Sequence, residues 1–587
     1  MTNTRAATPT TAAVADAIDF TLNGEPVRAE GVPATTTLLD WLRRSGRTGS
    51  KCGCAEGDCG ACTVALVDRT AQGDPTYRAI NSCIALLPMF AGREVVTVEG
   101  LAPGDALHPV QDAMVKHYGS QCGYCTPGFV VSLFEAYHRK DMGGACHARI
   151  NDELCGNLCR CTGYRPIRDA AVEVLQKRDR NCAGAKAAQH FDQRLSQPVA
   201  PLGAVAYAGG SERFFRPTSL VELFALKQAH PEAKLVAGAT EIGVELNKKF
   251  KKFPALISTE GVPELTRIVK TDTEWRLGAA ATLTAIEEAL GDEYPVVAKM
   301  LAGFAARQIR NRATLGGNLV TASPIGDSAP VLLALDASVV LASPLGTRTV
   351  PLHEFFTGYR QTQLRPDEAM LEIVLPRDVP SGLTRRADFQ KVSHRRELDI
   401  SIVAGAFCVD LDAAGIVRRA RIAYGGVAVQ PLRARRAEAA LEGKTLAAAR
   451  AEVAEILRGE FKPIDDVRGS AEYRRGVIVS IWEKFVSGET SLAIDAPVEF
   501  ATSSPWPVDE ASRGLRHESA VGHVTGRAQY VDDTAQRRPM LEVWPVLAPH
   551  ARAKILRRDA TAARAMPGVA AVLLAEDIPG ENNVGVS

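Results

Sequence analysis

The sequence predicts an α+β chain of several domains, and three observations carry that expectation. The chain has 587 residues, whereas single hydrophobic cores stop growing near ~250–300 residues. Strand-like alternation and helix-like 3.6-residue periodicity follow one another along it. Eight cysteines fall in two compact sets before residue 162, which suits small ligand-binding domains ahead of larger ones.

The 46% hydrophobic and 23% charged content is that of a soluble globular protein. A net charge of +1 argues against nucleic acid or an anionic membrane as partner. No apolar run approaches the roughly 18 residues that span a bilayer. Residues 1–17 are rich in Ala and Thr, lack the apolar core of a secretory signal, and read as a flexible lead-in. Patterned cysteines outside oxidising compartments are metal ligands more often than disulfides, so the cytoplasm is the expected location.

The first domain is expected over 18–103. IDFTLN and EPVRAE read as two strands joined at Asn23-Gly24, a strong hairpin signal. LLDWLRRSG reads as a helix, and TVALVD as a strand. Between them Cys54, Cys59 and Cys62 have the spacing C-x4-C-x2-C, and Cys83 follows in N-S-C-I-A-L-L. That spacing is the plant-type [2Fe–2S] signature. Gly53, Gly57 and Gly60 interleave the thiols, as a loop needs when its N–H groups turn toward sulfur. A zinc site, which prefers paired C-x2-4-C units, fits this spacing poorly. Cys52 is a neighbour and not an expected ligand.

The second domain is expected over 104–180. Cys122 and Cys125 form C-x2-C ahead of the helix-patterned G-F-V-V-S-L-F-E-A-Y, with Pro127 suited to its first turn. Cys159 and Cys161 form C-x-C ahead of D-A-A-V-E-V-L. Two pairs at the mouths of helices suit a negatively charged cluster between them.

E-G-D-C-G-A-C, Q-C-G-Y-C-T-P-G and G-N-L-C-R-C-T-G-Y resemble the paired [2Fe–2S] domains of the xanthine dehydrogenase / aldehyde oxidase family of molybdenum hydroxylases. The resemblance implies a ferredoxin-like β-grasp domain, then a four-helix domain. It also implies that Gln121 touches the molybdenum pterin of a partner domain, although a polar residue there could simply cap a helix. Cys146, Cys155, Cys182 and Cys408 match no ligand of the family.

Residues 181–210, rich in Ala, Gly and Gln, read as a linker. The strand-like A-K-L-V-A then leads into G-A-T-E-I-G-V, a small-residue turn that lets N–H groups approach a pyrophosphate. It lacks the G-x-G-x-x-G fingerprint, and alone it would be an ordinary turn. F-A-A-R-Q-I-R-N-R-A-T-L-G-G-N-L-V-T-A-S-P-I-G-D follows, dense in hydrogen-bonding groups. Together the two segments are similar to the flavin domain of the same family, expected over 211–380. By that resemblance Leu235, Val236, Ala237, Gly238, Ala239, Thr240, Glu241 and Ile242 cradle FAD with Thr314, Leu315, Gly316, Gly317 and Asn318. Phe304 packs near the flavin ring, Asp327 hydrogen-bonds FAD, and Lys391 lies on the flavin or nicotinamide side. The run His394-Arg395-Arg396 would then lie near the flavin. Some members of the family carry an acidic residue where Leu398 stands. I-A-Y-G-G-V-A and L-E-G-K-T resemble the small C-terminal part of the flavoprotein unit, expected over 381–490.

A linker is expected over 491–508. From 509 to 587, H-E-S-A-V-G-H-V-T-G, M-L-E-V-W-P-V-L-A-P and I-P-G-E-N-N resemble the first, partial hammerhead-like α/β domain of the molybdenum-binding subunit. A fusion, a split gene and a frame boundary all fit this arrangement. The resemblance implies that the glutamate base of the molybdenum site lies outside these residues, so no catalytic residue is expected in this chain. It implies two [2Fe–2S] clusters, FAD, NAD⁺ as acceptor, and molybdopterin with molybdenum on a large partner subunit in a heterotetramer or larger assembly. Xanthine is the favoured substrate; aldehydes and N-heterocycles are the alternatives within the family, and an inactive truncated product is the alternative outside it.

Overall fold

A computed structural model describes residues 14–102, 106–144, 146–177, 185–488, 515–535 and 538–581. Residues 1–13 of the expected lead-in, all of the 491–508 linker and Cys182 lie outside these. Contact density divides the chain into a large unit ending at Ala528 and a second unit over Gln529–Ser587.

The hairpin expected at Asn23-Gly24 forms. Both residues take positive φ (54° and 85°), the turn that matches the twist of paired strands. It joins Ala17–Leu22 to Glu25–Glu30, at one side of a sheet that continues through Glu94–Val96 and Thr63–Arg69 to Pro75–Asn81. The helix Leu38–Arg44 packs on this sheet, and Thr37 caps it by accepting from the Asp40 N–H at 3.1 Å. Phe20 and Trp41 meet edge to face at 5.2 Å in the core beneath.

Helices then dominate: Pro109–Lys116, Thr126–His138, His147–Leu154 and Arg165–Val172. Thr126–His138 is buried along most of its length, and Pro127 stands in its first turn. The Ala- and Gln-rich stretch read as a linker differs from that expectation. Ala185–Arg194 is a helix, and Val205–Gly209 is a strand. Ala187, Ala188 and Phe191 recur at helical spacing and are buried, with Phe191 against Tyr77, Phe134 and His108. The lead-in is likewise partly anchored, since Ala15 bridges Tyr207.

Two sheets carry the flavin-like segments. One runs Val205–Gly209, Glu212–Arg216, Ala255–Ser258, Lys234–Val236, and shares its core with the first domain. The other is antiparallel, in the order Ile268–Lys270, Glu274–Gly278, Ala369–Pro376, Ser338–Ser343, Gly346–Pro351. A four-stranded antiparallel sheet, Thr384–Val392 to Leu432–Arg433, follows; the helix Ala471–Ser487 packs on it, and Leu446–Glu460 packs on that helix. No helix among the described residues is long and apolar enough to cross a membrane.

Within the large unit, the short helix Ala520–Val524 lies against the helical domain. Gln111 Nε2 donates to the Val524 carbonyl at 3.0 Å, and Ser120 Oγ meets His523 Nδ1 at 2.7 Å. The second unit contains only short helical turns among its described residues, with no strand. Val543, Trp544, Val546, Leu547 and Leu556 are all at least 79% exposed. Their alternating apolar stretches have strand character, but strands need paired neighbours to satisfy their backbone groups.

Candidate functional site

The first four cysteines fall into two pairs. The sulfurs of Cys54 and Cys59 hydrogen-bond one another, and those of Cys62 and Cys83 do the same. Backbone N–H groups of Glu56, Asp58 and Cys59 all point at Cys54 Sγ, at 3.3–3.4 Å. A side chain on Gly53 would collide with Cys59 Sγ, and Gly57 and Gly60 hold φ of 90° and 69°, so each glycine is required. The thiol of Cys59 beside it, then the converging N–H groups, draw the Cys54 thiol down to about 4, while Cys59 is pushed up by Cys54 and by burial. Cys62 is lowered and Cys83 raised through their mutual hydrogen bond.

The second set repeats the arrangement. Cys122 pairs with Cys161, and Cys125 pairs with Cys159. Burial and then Cys159 raise Cys125; Cys159 itself is lowered, because hydrogen bonds from the Thr162 hydroxyl and N–H outweigh its burial. Cys125 directly precedes the helix Thr126–His138, and Tyr164, in the left-handed region, directly precedes Arg165–Val172. Among the described residues no three or more His, Cys, Asp or Glu side chains close round a single metal ion. Two separate pairs fit a two-iron cluster, in which each iron takes two protein thiolates. The donor sets therefore fit [2Fe–2S] clusters.

The two cysteine loops touch. The Leu158 N–H, one residue before Cys159, donates to the Cys59 carbonyl at 3.0 Å. Tyr124, between Cys122 and Cys125, donates to the Cys52 carbonyl at 2.6 Å. Asn157 Nδ2 donates to the Gly60 carbonyl at 3.1 Å. Gln121 and Cys122 are exposed, on the loop before Cys125, so Gln121 does not cap the helix.

The flavin-like segments also converge. Lys234–Val236 ends in a turn where Ala239 has φ 64°, and the helix Ile242–Lys249 follows. A Cβ on Gly238 would lie 1.7 Å from the Arg312 carbonyl, so only glycine lets this turn approach the second segment. Thr314 caps the helix Leu315–Thr321 by accepting from the Gly317 N–H at 3.1 Å. Thr321 donates to Glu241. Asp327 is buried, accepting from Lys391 Nζ at 2.7 Å and from the Ser401 hydroxyl. Lys391 also donates to the Gly303 carbonyl at 2.9 Å, beside Phe304. Strand-to-helix turn, close-approach glycine and buried polar trio together make a cradle that fits a dinucleotide such as FAD.

This cradle sits on the first cysteine loop. Asn247 Nδ2 donates to the Ala55 carbonyl at 2.9 Å and to the Cys83 carbonyl at 2.8 Å. Gly243 packs so closely on Ile84 that a Cβ would meet its backbone at 2.4 Å. Ile309 packs with Cys62, Cys83 and Ile84. Leu398 is buried with φ 52°, while His394, Arg395 and Arg396 are exposed. Burial, then Cys54 and Glu56, raise Asp58, and Arg395 and Asp399 also act on it, so the 394–399 loop borders the cysteine loop.

Sequence reasoning missed the residues that lock these parts together. Arg307, Gln308, Arg310 and Asn311 lie in the second flavin-like segment yet reach into the cysteine domains. Arg307 Nε donates to Glu135 at 2.9 Å, and Glu135 is fully buried in Thr126–His138. The Ala79 N–H donates to the same carboxylate at 2.9 Å, and Asn311 donates to the Ala79 carbonyl at 2.8 Å. Gln308 Nε2 donates to Ser132 and Asn157, both at 2.9 Å. A glutamate inside an otherwise apolar helix pattern was the available signal for such a buried partner.

Comparison with known proteins matches the chain in five places. Residues 20–87 match a 2Fe-2S iron-sulfur cluster binding domain, and 97–172 a [2Fe-2S] binding domain. Residues 209–378 match an FAD binding domain in molybdopterin dehydrogenase, and 388–488 a CO dehydrogenase flavoprotein C-terminal domain. Residues 525–587 match the aldehyde oxidase and xanthine dehydrogenase a/b hammerhead domain. Xanthine dehydrogenase of Emericella nidulans is 33% identical over 96% of this chain and 47% of its own length. Xanthine dehydrogenase/oxidase of Gallus gallus is 32% identical over 97% of this chain and 49% of its own length. The chain thus spans about half the length of the curated relatives it matches. A solved carbon monoxide dehydrogenase chain from Hydrogenophaga pseudoflava, 29% identical, covers 46% of this chain and 94% of its own, with a TM-score of 0.44. The chain carries two [2Fe–2S] domains and an FAD-binding domain.

Proposed function

The chain belongs to the molybdenum hydroxylase family that includes xanthine dehydrogenase, and from that premise we propose that it is the electron-relay part of a xanthine dehydrogenase-type oxidoreductase. The observation that carries the reading is the contact of two paired-thiol loops with one another and of one of them with a flavin cradle. When bound, the clusters supply one-electron centres, and FAD converts one-electron traffic to two-electron chemistry.

On this reading Cys54, Cys59, Cys62 and Cys83 hold one cluster. Cys122, Cys125, Cys159 and Cys161 hold the other. The exposed Gln121 and Cys122 face a molybdenum pterin on a large partner subunit. With the clusters and FAD bound, the second set of thiols would hold the centre that takes up electrons from purine oxidation on that partner, the first set would hold the centre next in line, and the flavin would supply the two-electron chemistry that reduces NAD⁺. The backbone contact from Leu158 to Cys59 holds the two loops in register for the first transfer. Asn247 ties Ala55 and Cys83 to the flavin helix for the second. Residues 235–242 and 314–318 hold FAD, Asp327 hydrogen-bonds it, Phe304 packs by its ring, and Lys391 fixes Asp327 in place. Thiolate ligands of this kind persist in a reducing compartment, in keeping with the cytoplasm.

The test is xanthine-dependent NAD⁺ reduction by this chain co-expressed with a molybdenum-bearing partner subunit. NADH formation that requires both chains supports the reading. Turnover of an aldehyde or another N-heterocycle in place of xanthine would change the substrate and keep the relay. Absence of flavin and iron from the purified chain would sink it.

A further inference from the structure

The helix that anchors the flavin cradle ends in a feature the relay does not use. Ile242–Lys249 runs into Asn-Lys-Lys-Phe-Lys-Lys, residues 247–252, and all four lysines are exposed. Lysines in a helix's last turn are favoured by its dipole, which accounts for Lys248 and Lys249. It does not account for Lys251 and Lys252, which lie beyond the helix, or for Phe250. Phe250 is 82% exposed and sits in the left-handed region with φ 51°, an uncommon conformation for a bulky residue. The backbone turn thus presents an aromatic ring to solvent between two pairs of lysines.

The charge around it is one-sided. Glu245 pairs with Lys249 at 3.6 Å and with Lys251 at 2.5 Å, and Glu56 lies 3.8 Å from Lys248. Among the described residues no carboxylate pairs with Lys252. Four cations against two carboxylates leave a local positive excess on a chain whose net charge is only +1.

Position gives the patch its meaning. Asn247, at its start, donates to the carbonyls of Ala55 and Cys83, the neighbour of one cluster thiol and the residue of another. Lys248 reaches Glu56 in the same cysteine loop. Cys54, Ala55 and Glu56 are themselves only partly buried. The patch therefore borders a partly exposed stretch of the first cysteine loop.

We propose that Lys248–Lys252 is a docking site for an acidic protein carrying a one-electron centre, which exchanges electrons with the Cys54/Cys59/Cys62/Cys83 cluster directly and bypasses the flavin. The proposal rests on the reading of those four cysteines as a [2Fe–2S] site. One electron leaves the reduced cluster and one oxidised haem, iron–sulfur or flavin centre of the carrier gains it. No bond forms or breaks and no proton moves. The lysines steer the encounter and fix orientation, and Phe250 supplies the rigid apolar contact at its centre.

The experiment uses the complete chain loaded with its clusters and FAD, with cytochrome b5 as an acidic one-electron probe and cytochrome c as a basic one. Binding is read by titration, and the footprint by hydrogen exchange, both without turnover. A variant with Lys248, Lys249, Lys251 and Lys252 all changed to Glu is compared with Phe250→Ala and with the unaltered chain. Electron paramagnetic resonance of each first establishes that the clusters are present, so loss of the cluster reading is seen separately.

Charge reversal is expected to weaken cytochrome b5 binding by about tenfold or more and to strengthen cytochrome c binding. Raised salt should weaken cytochrome b5 binding to the unaltered chain. Protection from exchange should fall on 247–252 and on the Ala55–Glu56 turn. In anaerobic single-turnover mixing, dithionite-reduced chain should reduce cytochrome b5 more slowly after charge reversal, with flavin reduction by NADH unchanged. Cytochrome b5 affinity within twofold after reversal, or protection elsewhere, would overturn the proposal. So would binding of phosphatidylglycerol vesicles through the lysines without binding of the cytochrome, which would make the patch a membrane-contact site.

Discussion

Replacing Arg307 by Met tests how the flavin-bearing domain is locked to the cysteine domains. Arg307 is 5% exposed in its side chain, and Glu135, to which its Nε donates at 2.9 Å, is fully buried. Glu153 lies 3.6 Å from the same Nε and is held by Arg139 at 2.5 Å. Methionine fills most of the volume but removes the cation, leaving Glu135 with neutral donors only, the Ala79 N–H and the Asn311 amide. Removing one partner of a buried pair costs about 3–5 kcal/mol, because the other charge stays buried without compensation. With 1.4 kcal/mol per factor of ten, opening of this interface becomes roughly 10²- to 5 × 10³-fold more frequent. Native-state hydrogen exchange reads such sub-global opening directly, and it suits a multidomain chain without a single unfolding transition. The expected acceleration is confined to 304–312, the strand Pro75–Asn81 and the helix Thr126–His138. Adding Glu135→Gln should restore most of the protection, since the amide keeps an acceptor for Ala79 and carries no charge. Acceleration below about fivefold, or no recovery in the double variant, would refute the reasoning.

Three further outcomes follow from the same geometry. Lys391→Met leaves the buried Asp327 with the Ser401 hydroxyl alone. Losing a hydrogen bond to a charged group costs about 1.5–3 kcal/mol, so flavin affinity should fall roughly 10- to 100-fold, read by flavin content after dialysis. His108 is held well below its usual range by burial and by His138 at 3.2 Å. An unfolded histidine takes up a proton below about pH 6.5 while the folded one does not, so acidification through that range removes stability, by up to about 1.4 kcal/mol per pH unit. Hydrogen-exchange protection of the helical domain should therefore fall from pH 7 to pH 5.5, and His108→Gln should flatten the dependence. Asn157→Leu removes the acceptor shared by Ser132 and Gln308 and the donor to Gly60. It should loosen contact between the two cysteine loops and broaden or shift both cluster signals, whereas unchanged spectra would mean that Asn157 does not position them.

Parts of this structure were legible in the residues alone, and the reason differs from part to part. Asn23-Gly24 dictates its turn locally, because both residues tolerate positive φ. The eight cysteines announce themselves by spacing, and Pro127 by its place in a first turn. What pairs with what is a property of the folded chain. Spacing does not say that Cys54 faces Cys59 while Cys62 faces Cys83. The helix Ala185–Arg194 was hidden because its apolar face is mostly alanine, with Phe191 as its single aromatic anchor. Arg307, Gln308 and Asn311 were not singled out, since a sequence shows donors without their acceptors. Their partners Glu135, Ser132 and Asn157 lie more than 150 residues away. Asn247 was passed over for the same reason, as its two carbonyl acceptors belong to another domain.

The central claim is that one chain holds two [2Fe–2S] clusters and a flavin in contact. Electron paramagnetic resonance of the purified chain after chemical reduction, with iron, sulfide and flavin analysis on the same sample, tests it most directly. The account predicts two distinct [2Fe–2S] signals of equal spin, with FAD, and loss of one signal alone in Cys59→Ser or in Cys125→Ser. A single signal, a zinc-loaded site at either cysteine set, or loss of both signals from either substitution would contradict it.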